Sequence, residues 1–299
     1  MRNSTRHFEE AADELGKLDA TCALAPESVA IAFRLAACVG LIEPTRKAFS
    51  ALAAAAADSL HDALLAPGLV AWRDVLLAEE KRVRGGARLN AQRFATLDPP
   101  GNDDLRARLD AIWHEPGASR SVLERAIDSA AWSPDFALGE ASAALLLCAG
   151  GRTDRVRILP FAAADPVERA TAIRAHRDGE SDAWTTLALD ALAVRARTAR
   201  LAARLVIDAS ESEAERLQSL GRAAITARST LALLRRRFVT TIPALADDLG
   251  LSRPAANDAV ERLVALGLAR EVTGRARDRV FAYGAADTMA GSLLVADVA

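Results

Sequence analysis

Arg253 and Asn257 lie one helical turn apart, so that in a helix their side chains share one face. Side chains of these two types form paired hydrogen bonds with base edges in duplex DNA, arginine with guanine and asparagine with adenine. The adjoining Ser252 and the later Arg262 carry groups that can hold phosphate. Together with Pro254, which lies in the same segment, these residues form the first group that we expect to contact DNA.

A second basic group, Arg275, Arg277 and Arg279, follows shortly afterwards. Residues 270–279 contain four arginines and two acids, a local charge of +2. A short basic segment between two strands can grip phosphate or enter a minor groove. We therefore expect these three arginines to contact DNA from the tip or the flank of a hairpin.

Two short helices are predicted around the first group. Apolar residues at helical spacing indicate a first helix over Ile242–Leu249, and Gly250 is suited to the left-handed position that ends it. Ser252 is placed to cap a second helix, which Gly267 would close. The apolar residues of that second helix predict an inward stripe of Ala256, Val260, Leu263 and Val264.

A hairpin is predicted next, with strands at residues 268–272 and 279–283. Two helices with a tight glycine turn, followed by such a hairpin, are typical of a winged helix-turn-helix, whose second helix lies in the major groove. The sequence therefore predicts a winged helix-turn-helix over residues 238–299.

The overall charge works against simple attraction to DNA. The chain has a net charge of −2, and residues 238–299 hold six arginines against eight acids, which is also −2. Contact with DNA must then depend on local basic patches, to which Arg228 and the run Arg235–Arg237 could add phosphate contacts. Winged helices also serve as protein–protein modules, and that alternative stays open.

The rest of the chain is predicted to be helical, because alanine is abundant and aromatic residues make up only 4%. The expected fold is mainly α, with a helical N-terminal region at 1–100, a helical domain at 101–237 and the C-terminal module. Periodicity predicts helices at Phe8–Lys17, Glu27–Val39, Thr45–Leu65, Leu69–Arg84, Asp103–Trp113, Arg120–Ala131, Phe136–Cys148, Pro166–Arg177, Asp182–Ala209 and Ser212–Arg237.

Several site classes lack a sequence signature. Met1–Glu10 has no apolar core of a secretory signal, and the longest apolar tracts fall short of the roughly 20 residues of a membrane span, so we expect a cytoplasmic protein without membrane contact. The isolated cysteines, Cys22, Cys38 and Cys148, have no ligand spacing, so no metal site is expected. We also expect no cofactor.

No catalytic residue is indicated either. The histidines lie in separate segments without a polar partner at helical spacing, and they are His7, His61, His114 and His176. We therefore expect a protein that is not an enzyme. An active site that uses His114 or His176 remains the alternative.

From about Asp182 onward the chain resembles the C-terminal part of bacterial Fic-family proteins and of related rhizobial helix-turn-helix proteins. The matching segments are Gly179–Trp184, Leu249–Asn257, Arg262–Gly267 and Thr273–Phe281. The resemblance implies a winged helix behind a helical domain that is either a degenerate Fic-like domain or a bundle merely derived from one. Fic enzymes transfer AMP from ATP with an HPFxxGNGRxxR motif, which this sequence lacks, so no catalytic residue carries over.

The function expected from these features is sequence-specific binding of double-stranded DNA by a transcriptional regulator. We expect a homodimer, because one recognition helix covers a small footprint and two half-sites multiply specificity. The alternatives are a Fic-derived AMP-transferring enzyme and a protein–protein interaction module. No feature of the sequence identifies an effector.

Overall fold

A computed structural model describes residues 2–24, 78–89, 107, 110–114, 120–132, 136–153, 166–274, 277–286, 288–289 and 292–293. Most of these residues are helical, which confirms the mainly α class. The helices are α1 (Arg2–Leu24), α2 (Val122–Trp132), α3 (Phe136–Ala149), α4 (Pro166–Arg177), α5 (Ser181–Gln218), α6 (Ala224–Arg237), α7 (Ile242–Leu249) and α8 (Arg253–Ala265). The strands are β1 (Val239–Thr241), β2 (Ala269–Glu271) and β3 (Val280–Tyr283).

Several predicted helices are confirmed in the described ranges. The helix at Pro166–Arg177 has the predicted bounds. Helix α2 begins two residues later and ends one residue later than predicted, and α3 ends one residue later. Helix α1 is longer than predicted and takes in Phe8–Lys17. The helices expected at Glu27–Val39 and Thr45–Leu65 lie outside the described residues, as do parts of those at Leu69–Arg84 and Asp103–Trp113.

The predicted break between residues 209 and 212 is wrong, because α5 continues through it to Gln218. The segment contains neither glycine nor proline, and the Ser210 hydroxyl donates a hydrogen bond of 2.8 Å to the Val206 carbonyl, one turn back. A serine bonded in this way is tolerated within a helix. The helix ends instead before Gly221, whose φ of 54° no helix can continue, and a short 3₁₀ turn, Gly221–Ala223, leads into α6.

The described residues form two compact units, and the boundary between them falls within α5. The first takes in residues 2–20 and 78–197, and the second takes in residues 21–24 and 198–293. In the first unit, buried indole groups bridge separate elements. The Trp113 Nε1–H donates to the Ser142 hydroxyl at 2.9 Å, and the Trp184 Nε1–H donates to the Ile127 carbonyl at 3.0 Å.

The second unit packs helices against a three-stranded antiparallel sheet of order β1-β3-β2. Val239 of β1 pairs with Ala282, and Ala269 of β2 pairs with Tyr283. Helices α5 and α6 share one apolar core with the sheet, so this unit begins before residue 238. A second core lies beneath the two short helices and consists of Leu233, Leu245, Ala246, Ala256, Val260 and Phe281.

A buried carboxylate joins three elements of this unit. Glu213 of α5 accepts hydrogen bonds from the Arg235 guanidinium of α6, at 2.7 Å for Nε, and from the Tyr283 hydroxyl of β3, at 2.5 Å. Its side chain is only 5% exposed. Burial, followed by the Glu213 charge, raises the pKa of Tyr283 well above its ordinary value, so the phenol remains a proton donor.

We predict that the Tyr283 phenol of the folded protein ionises well above pH 10 and that in urea it ionises near pH 10, the ordinary tyrosine pKa. Tyr283 is the only tyrosine, so the tyrosinate absorbance reports this one group. Because the folded-state pKa is raised, the stability that Tyr283 contributes is complete below about pH 10 and falls as the pH rises above it. Ionisation near pH 10 in the folded state would contradict the buried contact with Glu213.

Candidate nucleic-acid interface

Two capped helix starts position the candidate DNA-contacting residues. Thr241, in an extended conformation, caps α7, where its hydroxyl oxygen accepts a hydrogen bond from the Ala244 N–H at 3.3 Å. Sequence reasoning missed this cap, although a threonine directly before Ile242-Pro243 is a recognisable signal for one. Helix α7 ends at Gly250, whose φ of 62° is the predicted left-handed conformation.

Ser252 caps α8, as predicted. Its hydroxyl oxygen accepts a hydrogen bond from the Ala255 N–H at 3.3 Å, and Pro254 occupies the first turn, where its missing N–H costs nothing. The hydroxyl hydrogen of Ser252 can still be donated to an anion. Because the amides at this helix start point outward, the end of α8 also carries a partial positive charge.

Helix α8 has one buried face and one exposed face. Ala256, Val260 and Leu263 are buried as predicted, and Val264 is half-buried. The opposite face exposes Arg253, Pro254, Asp258 and Arg262 to solvent. Among the described residues, neither Arg253 nor Arg262 has an ion-pair or side-chain hydrogen-bond partner. Both guanidinium groups are therefore available to an external ligand.

Asn257 and Arg279, both expected to contact DNA, contact each other. The Arg279 Nη2 donates to Asn257 Oδ1 at 2.8 Å and also lies 2.8 Å from Glu261 Oε1. The guanidinium stacks on Phe281, with 5.0 Å to the ring centroid, and lies 3.7 Å from Glu271. These contacts join the flank of the hairpin to α8.

This arrangement affects how Asn257 could read a base. Paired hydrogen bonds with adenine need both the amide oxygen and the amide nitrogen. With Oδ1 bonded to Arg279, only Nδ2 is left for a base edge, unless DNA displaces the arginine. The assigned roles of Asn257 and Arg279 therefore stay predictions, and Arg279 has a contact within the protein that the sequence did not indicate.

The hairpin between β2 and β3 presents the remaining basic residues. Arg277 is exposed and has no partner among the residues that the structure describes, whereas Arg275 lies outside them. At the base of the hairpin, the Thr273 hydroxyl accepts from the Val280 N–H at 3.2 Å and lies 3.2 Å from Glu271. These hydrogen bonds brace the base of the hairpin.

The basic run before the module is mostly engaged inside the protein. Arg235 is bonded to Glu213, and Arg237 lies 2.8 Å from Asp248 of α7. Arg235 is therefore not available to phosphate, contrary to expectation. Arg228 is exposed on α6.

A separate polar cluster occupies the first unit. The Asp128 carboxylate of α2 accepts from His176 Nε2 at 2.8 Å and from Arg120 at 2.9 Å, and it also accepts from the Trp132 indole at 3.1 Å. Burial opposes ionisation of Asp128, but the hydrogen bonds from His176 and Arg120 outweigh it and hold the pKa of the carboxyl below its ordinary value. The sequence did not reveal the contact between Asp128 and His176, because these two residues are far apart in the chain.

His176 is the only one of these groups that leaves a buried atom, Nδ1, without a hydrogen-bond partner. The expectation that no histidine has a polar partner at helical spacing is wrong for His114, whose Nδ1 lies 3.0 Å from the carbonyl oxygen and 3.3 Å from the carboxylate of Asp110, four residues earlier. His61 lies outside the described residues. Among the residues that the structure describes, no three histidine, cysteine or acidic side chains form a group that could hold a metal ion. Nor is any helix of these residues long and apolar enough to cross a membrane.

We predict that Asn257→Ala and Arg279→Ala are coupled by about 0.5–1.5 kcal/mol, since each removes the same partly buried hydrogen bond. Urea unfolding of the two single variants and the double variant measures the coupling. Asp258→Ala is the matched control, because Asp258 is exposed on the same helix, and it should add to Arg279→Ala within about 0.5 kcal/mol. Full additivity of the first pair would show that the contact does not join the hairpin to α8.

The comparisons with known proteins provide no family for this chain. No family model matches it, and no curated protein matches it. The assignment of function therefore depends on the site geometry.

Proposed function

We propose that residues 238–286 form a winged helix-turn-helix that binds duplex DNA, with α8 as the recognition helix and the hairpin between β2 and β3 as the wing. The observation that carries this proposal is the exposed start of α8, where a capped helix end presents Arg253, which has no ion-pair or side-chain hydrogen-bond partner within the described part of the chain. Recognition helices contact base edges with the residues of their first turns. Arg253 is therefore the principal base-reading residue.

The charge distribution favours local contacts over general attraction. Three acids of the module are paired internally, since Asp248 contacts Arg237 while Glu261 and Glu271 contact Arg279. The cations left exposed include Arg253, Arg262 and Arg277. They are placed along α8 and on the hairpin, where phosphate contacts would fix the orientation of the recognition helix.

The proposed role is that of a sequence-specific transcriptional regulator in the cytoplasm. Arg253 reads a guanine, Asn257 contributes its amide nitrogen, and Ser252 and Arg262 hold the flanking phosphates. Pro254 shapes the first turn, and Arg275, Arg277 and Arg279 act from the wing. No catalytic group, metal or cofactor takes part in this role.

We predict that Arg253→Ala relaxes the preference at one base pair by about 1–3 kcal/mol, whereas Arg277→Ala weakens binding to all duplexes alike and lowers the salt dependence. Arg275→Ala should behave like Arg277→Ala. The test begins with selection of bound duplexes from a random library, followed by titration of the selected and scrambled duplexes at several salt concentrations.

Arg174→Ala is the matched control, because Arg174 is an exposed arginine of α4 in the first unit. This variant should bind both duplexes as the unaltered protein does. Equal losses on the selected and scrambled duplexes for both test variants would refute the division between reading and phosphate contact. If no duplex is bound in a salt-dependent way, the protein–protein module is favoured instead, and the net charge of −2 over residues 238–299 also suits that module. Transfer of label from ATP to proteins would favour the enzyme instead.

A further inference from the structure

The outer face of α6 combines an exposed apolar centre with basic flanks. Ile225 is 73% exposed, a high value for a large apolar side chain. Arg222 and Arg228 lie three residues before and after it, and Ser229 and Ala232 continue the same exposed face. These five residues, of which Arg222 lies in the 3₁₀ turn that leads into the helix, make up what we call the basic face of α6. Neither Arg222 nor Arg228 has an ion-pair partner among the described residues.

The last turns of α5 carry the opposite charge. Asp208, Glu211 and Glu215 recur at helical spacing, are exposed, and have no ion-pair partner within the described ranges. They make up the acidic face of α5, with Arg204 one turn before it. Their neighbour Glu213 points the other way and is bonded to Arg235 in the core.

We propose that a second copy of this chain docks on these faces, so that the basic face of α6 in each copy meets the acidic face of α5 in the other. Within one copy both faces are exposed, so they do not neutralise each other. Between copies they are complementary in charge, and Ile225 would become buried. Complementary charges around an apolar centre are the usual composition of a protein interface.

Two observations favour a second copy over DNA as the occupant. A phosphate backbone would match Arg222 and Arg228, but it would leave Ile225 without an apolar partner. It would also leave the acidic face of α5 unused. An isologous pair uses both faces twice and closes, so it stops at the dimer.

The dimer does not depend on DNA binding, so it is tested on the full chain without DNA. One variant, Arg222→Glu with Arg228→Glu, makes both faces acidic. A second variant, Glu211→Arg with Glu215→Arg, makes both faces basic. Sedimentation at micromolar concentration compares each variant, their equimolar mixture and the unaltered protein, and circular dichroism checks that each is folded.

We expect the unaltered protein at twice the 31.6 kDa chain mass, each variant alone as a monomer, and the mixture again as a dimer. The mixture recovers because an acidic face meets a basic face at both contacts. As a control, Arg152→Glu with Arg174→Glu reverses the same amount of charge at exposed positions of the first unit and should leave the dimer intact.

Three outcomes would overturn the proposal: a monomeric unaltered protein, a variant that stays dimeric on its own, or a mixture that stays monomeric. If the first variant loses affinity for a selected duplex without a change of mass, the basic face contacts DNA instead. Arg253→Ala keeps the two proposals apart, because it should lose DNA binding and still form the dimer. A failure of the proposed DNA binding and a failure of the proposed dimer are therefore observed separately.

Discussion

The second unit, which contains the sheet and helices α6 to α8, depends on one buried carboxylate. Glu213 is held between Arg235 and Tyr283, so a single charge links α5, α6 and β3. A buried charge is tolerated only when it is paired and hydrogen-bonded, and loss of one partner leaves an uncompensated ion that costs about 3–5 kcal/mol. This requirement explains why an arginine of the basic run turns inward. The Glu213 carboxylate also holds β3, the central strand of the sheet, against α5 and α6.

The sheet in turn positions α8. Phe281, on the same strand as Tyr283, belongs to the core beneath α7 and α8. Arg279, directly before that strand, contacts Asn257 and Glu261 of α8. The orientation of the proposed recognition helix therefore derives from contacts on both sides of β3. The exposed start of α8 is free to meet a ligand because its internal contacts are made elsewhere along the helix.

Local features of the module were predictable from the sequence, and contacts distant in the chain were not. Gly250 and Ser252 could be placed because capping depends on residue type and neighbouring positions. The continuity of α5 was missed because polar residues near 210 resemble a break, although serine bonds back to its own helix. The pairs Glu213–Arg235 and Asp128–His176 connect separate elements, so no spacing rule could indicate them.

The most direct test of the proposed DNA interface is photo-crosslinking of the full chain to a selected duplex that carries a diazirine on one base, with the attachment site mapped by mass spectrometry. We expect crosslinks in the tryptic peptide 238–262, which contains the start of α8, and in peptides of the hairpin between β2 and β3. Crosslinks confined to residues before 198, or none above those of a scrambled duplex, would contradict the assignment of α8 as the DNA-reading helix.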